Sequence, residues 1–216
     1  MRDELRLAAS LIGVRDGAGG PEVLLIERTR GHRFLPGYVA FPGGAVDPAD
    51  GALAERWFGD VRAATRAAAI RELAEEVALA VTAGGVVPTD PRAPSPLRPV
   101  DAEPPAASDL WELARWVAPQ RVPVRFDARY YAVRMGGDAE PRPDGVEAAS
   151  AWWEAPASLL SAWEAGDRLL YWPTHFTIVA LAACRTADEL LSLRIETREP
   201  VEQELERLPR SVFFQD

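Results

Sequence analysis

The chain has 216 residues, 48% of them apolar, and a formal net charge of −9. That is enough apolar material for one full core, and too acidic a balance for a broad nucleic-acid surface, which needs a basic face. All 24 basic residues are arginine, so any phosphate contact has to be made by a guanidinium fork. The single cysteine, Cys184, excludes an internal disulfide, and its apolar surroundings (178–184) suggest a buried structural thiol. No cationic-then-apolar leader opens the chain, and no apolar run reaches membrane-spanning length. A soluble, cytoplasmic protein without membrane partners is expected.

In chain order, residues 5–14 read as an aliphatic strand ending in a turn at Arg15-Asp16-Gly17-Ala18-Gly19-Gly20. Residues 22–28 read as the second strand of a hairpin. A short strand, 39–41, leads into Gly43-Gly44, where the backbone can approach a ligand closely. Residues 47–51 carry turn chemistry, and 52–58 a short helix.

The segment 61–81 lacks interior Gly and Pro and is rich in Ala, Leu, Arg and Glu, which predicts one helix. Ile70, Leu73, Val77 and Val81 would form its apolar stripe. Glu72, Glu75 and Glu76 would cluster on roughly the opposite face. Three carboxylates so close repel unless a cation sits among them, and hard divalent ions take oxygen ligands. Paired glutamates on a helix usually mark no more than a solvated face. Here the preceding Phe41-Pro42-Gly43-Gly44 turn and the adjacent Arg71 favour a site.

Beyond this helix, 84–108 holds seven prolines and reads as a flexible surface connection. Asp109 and Glu112 suggest a capped helical turn carrying Leu110 and Leu113. Residues 125–134 alternate as a central strand, 135–145 as a loop and 151–154 as a strand. Two helices follow, at 156–164 and, apolar all round, at 174–185. His32 and His175 lack partners at ligand spacing and read as structural. Trp111, Trp116, Trp152, Trp153 and Trp172 are candidates to stack on an adenine. No Ser-His-Asp arrangement is evident, which leaves metal-activated water as the nucleophile.

Gly44, Asp50 and Arg71-Glu72-Leu73-Ala74-Glu75-Glu76-Val77 together resemble the Nudix box. Three departures stand out. Asp50 replaces a glutamate, about thirteen extra residues separate it from Arg71, and Ala78 replaces the helix-ending glycine. At a left-handed cap Ala costs on the order of 1 kcal/mol or shifts the helix end.

The resemblance implies an α/β fold: a Nudix-type α/β/α sandwich with a mixed sheet. It covers about 5–185. A single domain over 1–193 would then carry a box insertion at about 51–60 and the Pro-rich connection at about 84–108, leaving 194–216 as a tail. Upstream, Leu24-Leu25-Ile26-Glu27-Arg28-Thr29, Arg33, Gly37 and Phe41–Gly44 resemble the extra signature of Nudix enzymes acting on coenzyme A, with Thr29 standing for Ser. The stretches 115–119 and 125–131 are also similar to the peroxisomal-type CoA diphosphatases and their bacterial relatives.

The resemblance further implies a diphosphatase of CoA or acyl-CoA using Mg²⁺ or Mn²⁺. Glu72, Glu75 and Glu76 would bind metal with the Gly43 carbonyl. Arg71 would orient the cluster, and Arg28, Arg33, Gly43 and Gly44 would bind substrate. Arg28 could instead merely end a strand and pair with a neighbouring glutamate, with Arg33 solvated. Among the carboxylates of the 136–150 loop (Asp138, Glu140, Asp144 and Glu147), Glu147 is the candidate general base, against the plain reading of a solvated loop residue. ADP-ribose, nucleotide sugars and nucleoside triphosphates are alternative substrates. A catalytically silent metabolite sensor is the alternative of another class, disfavoured because the three glutamates are present. The sequence leaves a homodimer open.

Overall fold

The structure, a computed structural model, describes residues 5–31, 34–119, 125–136 and 139–197. Its frame is a seven-stranded mixed sheet built on β1 (Arg6–Gly17). β2 (Gly20–Arg28) pairs antiparallel with the end of β1, from Val14↔Val23 to Gly17↔Gly20, so β1 runs on to Gly17 through what the sequence marked as a turn. β3 (Val39–Ala40) lies on β2. β4 (Gly43–Ala45) pairs with the start of β1, Ala8↔Ala45 to Ser10↔Gly43. β1 thus has β2 along one half and β4 along the other, and the gap between them opens beside the Gly-Gly pair.

The helical segment divides into three. α1 (Asp50–Phe58) starts at Asp50 and covers most of the stretch, about 51–60, that the sequence reading takes as an insertion. A 3₁₀ turn at Val61–Ala63 follows, then α2 (Ala64–Val77). The expected helix to 81 ends at Ala78, which adopts the left-handed conformation, φ 58° and ψ 37°. Val81 lies instead on β5 (Leu79–Thr82), paired with β6 (Gly85–Pro88). The 84–108 segment is therefore not a structureless connection. It contributes β6 and α3 (Arg98–Ala102), and Asp101 accepts hydrogen bonds from Trp57 Nε1 (2.8 Å) and Arg56 (3.1 Å) of α1. Pairing with neighbouring elements orders a stretch whose composition alone would not.

The expected helical turn at 109–113 is a 3₁₀ turn, Ala107–Asp109, followed by β7 (Trp111–Val117). Leu110 and Leu113 are buried at the edge of the sheet, and that burial overrides the local capping signal. β8 (Phe126–Arg134) runs parallel to β1 from Arg6↔Phe126 to Val14↔Arg134, between β1 and β7. β9 (Ala148–Glu154) completes the sheet on β2. α4 (Pro156–Glu164) matches expectation. The last apolar run forms α5 (Trp172–Leu181), which starts two residues and ends four residues earlier than read; a separate α6 (Ala187–Ser192) follows. Cys184 falls after α5 and is half-buried rather than buried.

Alternation along the strands builds two cores. Leu11, Leu24, Ile26, Tyr131 and Val133 face α1, α2 and the β5–β6 pair. Ile12, Val14, Val23, Leu25, Tyr130 and Ala132 face α4, α5 and α6. A period of two with both faces buried is the pattern of a sandwiched sheet. No helix among the described residues is long and apolar enough to cross a membrane.

Candidate active site

α2 buries its apolar stripe, Ile70, Leu73 and Val77, against the sheet. Its carboxylates do not share one solvated face. Glu72 and Glu76 are buried, at 8% and 2% exposure, and Glu75 is exposed. Glu76 Oε2 accepts the Gly43 N–H at 2.8 Å, and its Oε1 is buried without a hydrogen-bond partner. The two glycines are explained by close approach. A Cβ on Gly43 would collide with the Ala9 carbonyl, and one on Gly44 with the Glu72 carboxylate.

Arg71 organises the cluster. Its Nε and Nη2 bind the two oxygens of fully buried Asp50 at 2.8 and 3.0 Å, and its Nη1 reaches Glu72 (2.9 Å) and Glu75 (2.8 Å). Asp50 also accepts the Asp47 N–H at 2.7 Å. The shorter Asp50 thus reaches Arg71 from the first turn of α1, so the insertion keeps the pairing that its length seemed to threaten.

Arg71 bonds three carboxylates here while Glu76 lies beside them outside its reach, and the electrostatics show the deficit. Burial, with Glu75 and Glu147 adding to it, pushes Glu72 up to about 7 although Arg71 opposes it. Burial and the neighbouring Glu72 push Glu76 well above the usual carboxylate range, against the Gly43 N–H and Arg28. Burial works against the Arg71 cation, yet its partners hold its pKa above the ordinary value.

Among the described residues no three acidic, imidazole or thiol groups stand preassembled as a metal cage. Arg71 occupies Glu72 and Glu75 instead. The unpartnered buried Glu76 oxygen, next to a second buried carboxylate, nevertheless fits a hard divalent cation with oxygen ligands. Glu72 and Glu76, with Glu75 at the rim, are the groups that would hold it. Once bound, such an ion would neutralise negative charge on a substrate and acidify water.

The cluster is one end of a cavity of about 800 Å³. Arg71, Glu72, Glu75, Gly43, Gly44 and Glu147 line this end, and Phe34, Tyr38, Phe126, Tyr130, Tyr171 and Trp172 line the other. Phe34 packs edge-on to Phe126 and Tyr171, with centroids 5.9 and 5.8 Å apart. The Tyr130 hydroxyl, bonded to Ser10 and Thr174, is pushed up to about 12 by burial. The turn after β2 presents Phe34 and Tyr38 with Leu35 at φ 53° and Gly37 at φ 75°. The left-handed Leu35 costs on the order of 1–2 kcal/mol, a strain carried where the cavity wall is made.

Arg28 also lines the cavity, and its charge acts on both Glu76 and Tyr130. Arg33, His32 and Asp138 lie outside the described residues. Of the candidate tryptophans, Trp116 and Trp172 line the cavity; Trp111, Trp152 and Trp153 do not. His175 is structural, its ring 4.2 Å from that of Trp163. The sequence reading missed Phe34, Tyr38, Phe126 and Tyr171 as cavity residues. Phe34 and Tyr38 flank the signature Gly37, the one local signal that could have pointed to them.

A Nudix domain model matches residues 4–172. The chain belongs to the Nudix family. A search of curated proteins finds no match. Among solved structures, a Nudix hydrolase from Alicyclobacillus acidocaldarius is 32% identical, with a TM-score of 0.74, over 89% of this chain and 98% of that one. DR0079 from Deinococcus radiodurans, 18% identical, shares the fold at a TM-score of 0.50 over 82% and 85% of the two chains. This Nudix protein is accordingly a pyrophosphohydrolase, of a family whose hydrolases generally use divalent metal.

Proposed function

We propose that this Nudix hydrolase cleaves the diphosphate of coenzyme A or an acyl-CoA, with Mg²⁺ or Mn²⁺ held by Glu72, Glu75, Glu76 and the Gly43 carbonyl. The observation that carries the reading is Arg28. It belongs to the Leu24–Gly44 stretch that resembles the CoA signature, and it stands in the cavity wall beside both Glu76 and the aromatic end. A diphosphate at the carboxylate end would leave the adenine among the rings, with the Arg28 guanidinium in the wall between them to meet phosphate oxygens.

In this reading water attacks one phosphorus, the bond from that phosphorus to the bridging oxygen breaks, and the bridging oxygen leaves with the other phosphoryl group. The products are 3′-phosphoadenosine 5′-phosphate and (acyl-)phosphopantetheine. Glu147 takes the proton of the water. Its side chain lines the cavity with Glu72 and Glu75, and its charge acts on Glu72 and Glu76. The other described carboxylates of its loop are less suited. Glu140 points to Arg15 (3.6 Å), and Asp144 is engaged by backbone N–H groups.

The test is a turnover screen of CoA, acyl-CoA, dephospho-CoA, ADP-ribose and dinucleotides with each metal. CoA or an acyl-CoA should have the highest kcat/KM. A clear preference for ADP-ribose or a dinucleotide overturns the assignment.

A further inference from the structure

Asp144 is a principal fastening point of the loop that carries Glu147. The Asp144 N–H donates to the Glu76 carbonyl at 3.0 Å. Its carboxylate accepts the N–H groups of Val146 (3.1 Å), Glu147 (3.1 and 3.2 Å) and Ala148 (2.9 Å). Two further bonds hold the ends of the loop. Arg142 N–H donates to the Val77 carbonyl at 2.9 Å, and Thr29 N–H to the Glu147 carbonyl at 2.9 Å. The carbonyls of Glu76 and Val77 belong to the last turn of α2, which has no partners of its own for them. Gly145, at φ 74°, permits the tight turn between Asp144 and Glu147.

A continuous path through Asp144 therefore joins the backbone of Glu76 to the backbone of Glu147, which Thr29 holds from the other side. Three N–H groups on one carboxylate also make a strong anchor, since bonds to an ionised acceptor are stronger than neutral ones.

We propose that Asp144 is a positioning residue that sets Glu147 over the Glu72–Glu76 carboxylates by tying its loop to the end of α2. The proposal rests on the reading that Glu147 acts in the reaction. A displacement of about 1 Å in a reacting group costs up to roughly a hundredfold in rate. Loss of the anchor therefore acts on kcat more than on KM.

The experiment compares Asp144→Ala, Asp144→Asn, Glu147→Gln and the Asp144→Ala/Glu147→Gln double variant in the full chain with Mg²⁺. The substrate is whichever of CoA, acyl-CoA, ADP-ribose or a dinucleotide the wild type turns over fastest. Asp144→Ala should lower kcat by about 10–100-fold, with KM within about threefold. Asp144→Asn, which keeps one oxygen acceptor, should recover part of the loss. The double variant should be no slower than Glu147→Gln, since the anchor has nothing left to position. Amide hydrogen exchange should speed up at Val146–Ala148 in Asp144→Ala and stay slow across α2. Multiplying losses in the double variant, or unchanged exchange at Val146–Ala148, overturns the role of Asp144. Full activity in Glu147→Gln removes the reading beneath it.

Discussion

The two ends of the cavity are stabilised by opposite means. At the aromatic end, Phe34 packs edge-on to Phe126 and Tyr171, and Tyr130 edge-on to Phe41, so ring packing makes the wall. At the carboxylate end, Asp50, Glu72 and Glu75 share the guanidinium of Arg71, and one oxygen of the neighbouring Glu76 is buried without a hydrogen-bond partner. The first end is a shape and the second a charge deficit. Shape can select a ligand before any ion arrives, whereas the deficit is relieved by a cation or by protonation, which is how a helix can keep two buried carboxylates side by side.

The sharpest way to break this contrast is Glu76→Gln. The neutral side chain keeps an acceptor for the Gly43 N–H and removes a buried charge, so the variant should fold and melt no lower than wild type without metal. Its activity should fall by at least two or three orders of magnitude, since a bound ion stabilises the transition state by several kcal/mol. Near-normal turnover of purified, metal-loaded Glu76→Gln would remove the metal from that carboxylate.

Arg28→Ala probes the junction of the two ends. Standing beside Glu76, Arg28 is placed for the diphosphate, so its loss should cost about 2–4 kcal/mol in kcat/KM on CoA and on dephospho-CoA alike. A loss confined to CoA would move Arg28 to the 3′-phosphate.

The pH dependence of the metal-free protein sharpens the electrostatic half. Burial raises Glu72 from 4.5 to about 7, so the protonated form is favoured in the folded state. The associated stability is fully present below pH 4.5 and is lost as pH rises through 7. By linkage the loss approaches about 3 kcal/mol. A divalent ion favours the ionised carboxylate, so Mg²⁺ or Mn²⁺ should raise Tm strongly at pH 8 and weakly at pH 5. A metal effect on Tm that is flat across this range would contradict the deficit.

The smallest expected effect concerns the end of α2. Ala78 sits in the left-handed cap, φ 58°, so Ala78→Gly should stabilise by about 1 kcal/mol and raise Tm by roughly 2–4 °C. A lower Tm would mean that the buried Ala78 methyl contributes more than its strain costs.

Local chemistry made much of the molecule legible in advance. The apolar run of β2, the alternation of β8, the Pro-led α4, the short helix before α2, the Gly-Gly approach and the Arg71–Glu76 cluster could all be read from adjacent residues, because each depends on short-range spacing. Contacts between distant segments could not. The 84–108 stretch acquires order by pairing with β5 and α1, and 111–117 becomes an edge strand because β8 offers it a ladder. Glu72 and Glu76 look solvent-facing on a helical wheel, and the meeting of α2 with β4 buries them. The aromatic end gathers residues from the turn after β2, from β8 and from the start of α5, so no window of sequence contains it. The sequence by itself specified the carboxylates and the arginine. Only the tertiary structure decided that they are buried, short of cations and joined to an aromatic chamber, because burial and shared charge belong to segments brought together in space.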